Sequence, residues 1–164
     1  MAKKGSKRKT APGDVATNRS ASYRYHLTDK LETGMVLTGT EVKSLRQGRC
    51  SLTDAYAVIA DGEAYLHGAH IPEYTEGTWN NHTPRRPRKL LMHKKEIDSF
   101  AMRSKEGGLA LVPLSLYFKD GRAKVELALG RGRKAHDKRQ VMAERDAQKE
   151  IRNAMGRALK RGRR

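Results

Sequence analysis

The chain has 164 residues, a formal net charge of +17 at pH 7 and a hydrophobic content of only 37%. This length suits one domain with tails, and the low apolar content predicts a modest core. No apolar run approaches the ~18 residues that cross a bilayer, and the basic start of the chain precedes no apolar stretch, so we expect neither a membrane span nor a secretory signal. A single cysteine, Cys50, excludes an internal disulfide and fits a reducing cytoplasm.

Most of the positive charge lies at the two ends of the chain. Residues 1–19 carry a net charge of +5 and residues 131–164 a net charge of +9, whereas residues 20–130 carry only +3. A nearly neutral middle can pack a core, while basic ends attract a polyanion. Nucleic acid is the favoured polyanion, because the N-terminal segment lacks the apolar anchors that bind a membrane surface.

The first part of the chain begins with an arm rich in Lys, Ser, Gly, Thr and Pro. We expect this arm, residues 1–18, to be disordered because it cannot bury enough apolar surface to offset the cost of ordering. Two strands are predicted after it, over residues 23–31 and 35–38. A short helix is predicted over residues 41–47, with Thr40 as its N-cap.

Two hairpins with the same turn are predicted in the middle of the chain. Each has an Asp-Gly pair between two strand-forming runs, and Asp-Gly suits a two-residue type I′ turn because both positions need a positive φ. The strands are residues 55–60 and 63–71 in the first hairpin, and residues 109–119 and 122–129 in the second. Within the second hairpin, Pro113 predicts an edge or a bulge.

The elements together predict a mainly β fold with about six strands and two or three helices. Residues 74–88 look irregular, and residues 94–105 are predicted to form a helix. So many strands in a short chain cannot leave many open edges, which favours a small antiparallel barrel of the oligonucleotide-binding (OB) type. A β-sandwich is the alternative. We expect this RNA-binding barrel over residues 19–130 and a basic tail over residues 131–164.

The tail contains an amphipathic stretch from about residue 138 to residue 160. Several alanines, Ile151 and Met155 form one helical stripe, and basic side chains form the opposite one. A stripe made mostly of alanine buries little surface, so this helix should be disordered in free protein and should form when a partner supplies contacts. The alternative is ordinary packing of the helix on the protein's own barrel.

Signatures of catalysis and of metal binding are missing from the sequence. There is no G-x-x-x-x-G-K-[ST] phosphate loop and no G-x-S-x-G elbow. His67 and His70 are three residues apart in a predicted strand, so they point to opposite faces and cannot share a metal. We therefore expect no enzyme, no cofactor, no metal and no small-molecule substrate. A histidine-dependent ribonuclease, the catalytic alternative, would need two histidines that the fold brings together.

The low aromatic content of the chain indicates how it binds nucleic acid. Aromatic residues make up only 5% of the chain, so stacking on several unpaired bases is not expected to be the main mode of binding. Phosphate contacts and recognition of folded RNA by its shape fit a basic, aromatic-poor chain better.

Several sequence strings, taken in order, resemble one protein family. They are Gly39-Thr-Glu-Val-Lys-Ser-Leu-Arg46, Asp54-Ala-Tyr56, Asp61-Gly-Glu63, Arg88-Lys-Leu-Leu91 with His93 and Glu96-Ile97 after it, Leu114-Ser-Leu-Tyr-Phe-Lys119 and Asp137-Lys-Arg139. Between Asn18 and Arg139 this set resembles the SsrA-binding protein (small protein B) family, the partner of transfer-messenger RNA in bacterial trans-translation. Each string alone is weak, but the ordered set is specific.

The resemblance implies an OB-related barrel without enzymatic activity. It implies a cytoplasmic adaptor that binds, as a monomer, the tRNA-like domain of transfer-messenger RNA and delivers this RNA to stalled 70S ribosomes. The basic tail would then fold into a helix in the decoding region and the empty mRNA channel. A general ribosome-associated protein that binds ribosomal RNA is the alternative function.

The candidate RNA-binding residues of the body come from this resemblance and from the basic strings. They are Arg19, Tyr23, Glu32, Lys43, Arg46, Arg86, Arg88, Lys89, Leu91 and His93. Glu32 would accept hydrogen bonds from guanine amino groups or ribose hydroxyl groups, which lysine cannot do. The alternatives are a solvated carboxylate for Glu32 and core packing for Leu91.

The candidate ribosome-engaging residues lie in the tail. They are Arg131, Arg133, Lys134, His136, Asp137, Lys138, Arg139, Arg145, Lys149, Ile151, Arg152 and Met155. Lysine and arginine would bind phosphates, Asp137 would cap the helix, and Ile151 and Met155 would anchor it. Residues 72–83 match the family poorly, and we assign them no role from the sequence.

Overall fold

The structure is a computed structural model that describes residues 13–161. Its strands are β1 (Asp14–Thr17), β2 (Tyr25–Met35), β3 (Tyr56–Ala60), β4 (Glu63–His67), β5 (Arg88–Leu91), β6 (Ala110–Lys119) and β7 (Arg122–Gly132). Its helices are α1 (Ala21–Arg24), α2 (Gly39–Arg46), α3 (Lys94–Gly107) and α4 (Ala135–Arg161). No helix in this part of the chain is both long enough and apolar enough to cross a membrane.

The seven strands form one antiparallel sheet, in the order β1-β6-β3-β4-β5-β2-β7. Because β7 also pairs with β6, the strands from β6 to β7 form a closed ring of hydrogen-bonded neighbours. The mainly β, antiparallel prediction is therefore confirmed. All the described strands belong to one sheet, so the two separate sheets of a β-sandwich are not present in residues 13–161.

The two Asp-Gly hairpins form as predicted, although the first is shorter than expected. Both turns have positive φ at both positions, 50° and 72° at Asp61 and Gly62, and 52° and 72° at Asp120 and Gly121. Strand β4 ends at His67 rather than at residue 71. The register of β6 against β7 shifts between Pro113 and Ser115, which confirms the predicted bulge.

Part of the predicted disordered arm is ordered in the structure. Residues 14–17 form β1, which pairs with the outer side of β6 and buries Ala16. The Asn18 backbone N–H continues the ladder with a 2.7 Å bond to the carbonyl of Leu114. The prediction of disorder is wrong for these residues. The free edge of β6 supplies hydrogen-bond partners for the backbone of the arm, and these compensate for its low apolar content. Residues 1–12 of the arm lie outside the described residues.

The segment before the first long helix also differs from the prediction. One strand, β2, replaces the two predicted over residues 23–31 and 35–38, since it pairs with β7 and then with β5. Residues 21–24 instead form the single turn α1. The N-cap of α2 is Thr38 and not Thr40, and the Thr38 backbone N–H donates to Glu41 Oε2 at 2.8 Å.

The core fills the inside of the ring and is closed by two helices. Strand residues such as Leu66, Leu90 and Leu127 are fully buried there, together with Leu45 from α2 and Phe100 from α3. Burial of each such side chain contributes roughly 1.5–3 kcal/mol to folding. The outer faces of the strands are left for other contacts.

A buried ion network joins α2 to the segment that leads into β5. Both carboxylate oxygens of Glu41 accept from Arg86, from Nε at 2.8 Å and from Nη2 at 2.6 Å. Arg88 Nε also donates to Glu41 Oε1 at 2.8 Å. The side chains of Glu41 and Arg88 are fully buried, whereas that of Arg86 keeps 31% of its exposure.

The rest of the Arg88 guanidinium binds backbone carbonyl groups. It donates from Nη1 to Ala69 at 2.8 Å and to Arg86 at 3.1 Å, and from Nη2 to Pro84 at 3.0 Å. Because these carbonyls belong to segments without regular structure, Arg88 satisfies backbone groups that a strand ladder does not reach. The network therefore fixes the entry of the chain into β5.

The ionisation of Glu41 follows from this network. Burial alone would raise its pKa, but the bonds from Arg86 and the Thr38 backbone, together with the charge of Arg88, bring the pKa below its ordinary value. A carboxyl with a lowered folded pKa stabilises the fold above its unfolded pKa of about 4.3. This contribution is lost as the pH falls through the folded pKa.

Replacing Arg88 by Met should lower the free energy of unfolding by about 3–5 kcal/mol, because Glu41 and the bound carbonyls lose a buried partner. Urea unfolding followed by circular dichroism measures the loss. Arg85→Met is the matched control, since Arg85 is exposed in the same segment and should change the free energy by less than about 0.5 kcal/mol. Equal effects of the two substitutions would contradict the structural role of Arg88.

Candidate nucleic-acid interface

Four of the predicted RNA-binding residues line one open cleft of about 510 Å³. Glu32 comes from β2, Lys89 and Leu91 come from β5, and His93 precedes α3. Lys124 of β7 lines the same cleft. These residues are up to 92 positions apart in the chain, and the pairing of β2 with both β5 and β7 brings them together. We call this site the β2–β5 cleft.

The alternation of β5 decides which of its side chains reach the cleft. Arg88 and Leu90 point into the protein and are buried, while Lys89 and Leu91 point outwards. Leu91 is 55% exposed, so core packing does not account for it. Gly34 pairs with Leu91, and a Cβ at Gly34 would lie 3.2 Å from the Leu91 Cβ. The glycine therefore leaves room for an exposed leucine on the cleft wall.

Glu32 is exposed but held in place. Its carboxylate accepts hydrogen bonds from the Tyr117 hydroxyl and from Lys119 Nζ, the latter at 3.2 Å. The hydrogen bond from Tyr117 and then that from Lys119 lower the pKa of Glu32 below its ordinary value. Burial and the bond to Glu32 raise the pKa of Tyr117 to about 12. Glu32 is therefore an oriented anion rather than a freely solvated side chain.

Glu63 repeats this arrangement within the same cleft. Its carboxylate accepts from Lys89 Nζ at 2.5 Å and from the Tyr65 hydroxyl at 2.7 Å. The bonds from Lys89 and Tyr65 lower the pKa of Glu63, and the bond to Glu63 raises the pKa of Lys89. The cleft thus contains two carboxylates, each fixed by one tyrosine and one lysine. Glu32 and Glu63 present hydrogen-bond acceptors, and their lysine partners present cations.

His93 stands at the edge of the cleft as the N-cap of α3. Its backbone N–H donates to Glu96 Oε2 at 2.9 Å, which fixes the first turn of the helix. The His93 side chain is exposed. It is therefore available to a ligand in the cleft.

Arg88 is the one predicted RNA-binding residue that the structure removes from the surface. Its side chain is fully buried against Glu41, so a direct contact with RNA is excluded. Arg86 shares that carboxylate but remains partly exposed. Lys43 and Arg46 are exposed on α2, and Lys43 Nζ lies 5.4 Å from the centre of the Tyr74 ring.

A second, cationic cleft of about 600 Å³ lies between α1 and α4. Arg19, which precedes α1, lines it together with Arg145, Lys149 and Arg152 of α4. Arg145 Nη2 donates to Ser22 Oγ at 2.7 Å and so joins the tail to the body. Tyr23 is half-buried on α1. The structure therefore groups predicted body and tail residues that the sequence separates.

The predicted start of the tail at residue 131 is wrong. Arg131 belongs to β7 and pairs with His26, and the Arg133 backbone N–H donates to the Arg24 carbonyl at 2.9 Å. Arg133 Nε also donates to the Tyr25 carbonyl at 3.3 Å. The sheet continues through these residues because β2 supplies partners for them, so the tail begins at about Lys134.

Between residues 135 and 159, α4 presents most of its side chains to solvent. Asp137 is not the N-cap that the sequence predicts, because it lies in the first turn of α4. Its Oδ2 accepts from the Lys134 backbone N–H at 3.3 Å, and the bond from His136 is the main cause of the lowered pKa of Asp137. Lys138 is half-buried and Arg139 is exposed. Ile151 and Met155 are 58% and 65% exposed, so the apolar stripe does not pack on the body. Disorder of the tail in free protein stays a prediction.

Comparisons with known proteins show the family of the chain. The family model described as SmpB protein matches residues 15–157. The chain belongs to this family. It is 62% identical to the SsrA-binding protein of Acidothermus cellulolyticus over 146 residues, which cover 89% of this chain and 92% of that protein. It is 59% identical to the SsrA-binding protein of Frankia casuarinae over 153 residues, which cover 93% and 96%.

A solved structure supports the same relationship. The chain is similar, with a TM-score of 0.62 and 46% identity, to a chain of the structure described as "tmRNA-SmpB: a journey to the center of the bacterial ribosome". The match covers 73% of this chain and 84% of that chain. The predicted family is confirmed by these similarities.

Several residues that line the β2–β5 cleft or orient its carboxylates escape sequence reasoning. Tyr117, Lys119 and Lys124 come from the second hairpin, whose pairing with β2 spans about 90 residues of chain. Their outward position follows from the period of two in the hairpin, but their partner strand does not. Tyr65 and Glu63 carry a weak signal, because residues two apart in a strand share a face.

Tyr117→Phe should raise the pKa of Glu32 towards its ordinary value, because the Tyr117 hydroxyl is the main group that lowers it. NMR titration of the side-chain carboxyl carbons measures this change. Tyr65→Phe is the matched control and should raise the pKa of Glu63 while leaving that of Glu32 unchanged. A Glu32 titration that does not move in Tyr117→Phe would show that the hydrogen bond is absent in solution.

Proposed function

We propose that this protein is a non-catalytic RNA-binding adaptor of the cytoplasm that binds the tRNA-like domain of transfer-messenger RNA and delivers it to stalled ribosomes. Membership of the SmpB family supports this function. The observation that carries it is the convergence of Glu32, Lys89, Leu91 and His93 on the β2–β5 cleft. In this proposal the cleft is the binding surface for the RNA.

The body binds RNA as an OB-like barrel in this proposal. The closed ring of strands supports a barrel of this type, since it leaves an outer face on which loops and strands can contact RNA. The face that we assign to the tRNA-like domain contains the β2–β5 cleft. Lys43 and Arg46 on α2 add exposed positive charge to the body.

The chemistry of the cleft suits folded RNA. Lys89 and Lys124 attract phosphates, while the oriented carboxylates of Glu32 and Glu63 accept from ribose 2′-hydroxyl or guanine amino groups. Leu91 offers an apolar contact to a base or a sugar at the same place. Because an acceptor repels phosphate, the pair of carboxylates restricts where the RNA backbone can run. This favours one docked orientation over general adhesion to RNA.

The tail serves the ribosome in this proposal. Its basic side chains bind phosphates of ribosomal RNA in the decoding region and the mRNA channel, and Ile151 and Met155 anchor the helix there. Their exposure on α4 supports a role with a partner, because a stripe that no body residue covers remains available.

Ending the chain after Arg133 should preserve binding to the tRNA-like domain and abolish ribosomal delivery, because it removes α4 but keeps all of β7. Affinity is measured by titration with the RNA, and delivery by alanine transfer on stalled ribosomes. Ending the chain after Gly130 is the matched comparison. It cuts into β7 and should lower stability as well, which thermal unfolding reports. Loss of RNA affinity in the chain that ends at Arg133 would overturn this division of roles.

Lys124→Gln should weaken binding to the tRNA-like domain and reduce the slope of log affinity against log salt by about one, as expected for one lost phosphate contact. Lys105→Gln is the matched control, because Lys105 is exposed at the far end of α3 and should leave the slope unchanged. The same titrations with ordinary tRNA and a ribosomal RNA fragment as competitors measure specificity. Equal competition by the ribosomal fragment would favour the general ribosome-associated protein instead.

A further inference from the structure

The segment that joins β4 to β5 presents the only tryptophan of the chain to solvent. Trp79 is 92% exposed, more than any other large hydrophobic side chain among the described residues whose exposure is known. It lies within residues 72–83, to which the sequence assigns no role. A fully exposed indole contributes little to the stability of its own chain, so its position needs another explanation.

The loop around Trp79 is held in one conformation by Asn81. The Asn81 side chain donates to the carbonyls of Tyr74 at 2.8 Å and Gly77 at 2.9 Å. Its Oδ1 atom accepts from the backbone N–H groups of Tyr74 at 3.2 Å and His82 at 3.1 Å. One side chain thus satisfies four backbone groups and closes residues 74–82 into a compact loop.

This loop is fastened to the body at both of its ends. The buried His82 ring lies 3.0 Å from Thr40 Oγ1 and 2.9 Å from the Ile71 carbonyl. At the other end, Lys43 of α2 lies over the Tyr74 ring. The fixed loop therefore presents Trp79 at a defined position, and the cost of ordering its neighbours is met before a ligand arrives.

The surroundings of the loop favour RNA over an apolar protein partner. Lys43 and Arg46 of α2 and Arg85 after the loop are exposed cations. The acidic Glu76 is hydrogen-bonded by the Tyr74 hydroxyl at 2.9 Å. Thr78 and Asn80 flank the indole, so a single aromatic plane stands among polar groups rather than in an apolar patch. An exposed aromatic plane on a protein that also presents cations is an arrangement on which a nucleobase stacks.

We infer that Trp79 is a stacking platform for one unpaired nucleobase, either in transfer-messenger RNA or in ribosomal RNA. This inference rests on the proposed function, because it assigns a further contact to the same RNA-binding adaptor. It is consistent with a low aromatic content, since one stacked base needs only one indole. It also places a contact outside the β2–β5 cleft, on the loop that α2 supports.

The single tryptophan makes the test direct, because the intrinsic fluorescence at 295 nm excitation comes from Trp79 alone. In the first arm, the affinity of each full chain for a fluorescein-labelled tRNA-like domain is measured by anisotropy, and the tryptophan emission and iodide quenching of the chains that keep Trp79 are followed as well. In the second arm, binding to stalled ribosomes loaded with transfer-messenger RNA is measured by co-sedimentation. Trp79→Ala, Trp79→Phe and the control Met102→Ala, which removes an exposed side chain on α3, are compared in both arms.

The inference predicts that Trp79→Ala weakens binding at least roughly fivefold in one arm, while Trp79→Phe and Met102→Ala stay within about twofold of the unmodified chain. If transfer-messenger RNA supplies the base, the tRNA-like domain also quenches the emission and protects it from iodide. If ribosomal RNA supplies it, only co-sedimentation changes.

Unchanged binding of Trp79→Ala in both arms would overturn the stacking platform. Failure of the unmodified chain to bind the tRNA-like domain would instead overturn the proposed function. The two failures are therefore distinguishable.

Discussion

The buried contact of Glu41 with Arg86 and Arg88 is the constraint on which the functional surface depends. It ties the first turn of α2 to the chain that enters β5, across 45 and 47 residues of sequence. With Arg88 fixed inside, the pleat of β5 turns Lys89 and Leu91 outwards into the cleft. Removing one partner would leave charge without compensation in a dry environment. The surface that we assign to RNA is thus set by an interaction that is mostly buried.

The β2–β5 cleft contains both cations and anions. Lys89 and Lys119 are each paired with a carboxylate that a tyrosine also holds, so the cations and anions of the cleft have defined positions. Such pairs leave the net charge of the cleft small while the ends of the chain carry most of the excess. Long-range attraction and local recognition therefore belong to different parts of the protein.

Local patterns predict much of the fold, and the errors have physical causes. The Asp-Gly turns and the alternation of the second hairpin can be read from the sequence because their geometry depends on neighbouring residues. Strand β5 has only four residues after a proline-rich stretch, and its ladder is supplied by β2 and β4. Likewise β1 exists because β6 has a free side. The burial of Arg88 could not be predicted, since an arginine in a basic string looks like a surface residue. Family resemblance found Glu32, Leu91 and His93, but not the tyrosines and lysines that orient the carboxylates.

The first half of α4 is held close to α1 by hydrogen bonds. Arg133 is hydrogen-bonded to α1, and Arg145 reaches Ser22 on the same turn. When helical, the 27 residues of α4 make a rod about 40 Å long. A tilt of about 10° at its base would sweep its far end through about 7 Å. Because α4 is fixed to the body at its start, the orientation in which the body binds its RNA determines the position of the far end of the helix.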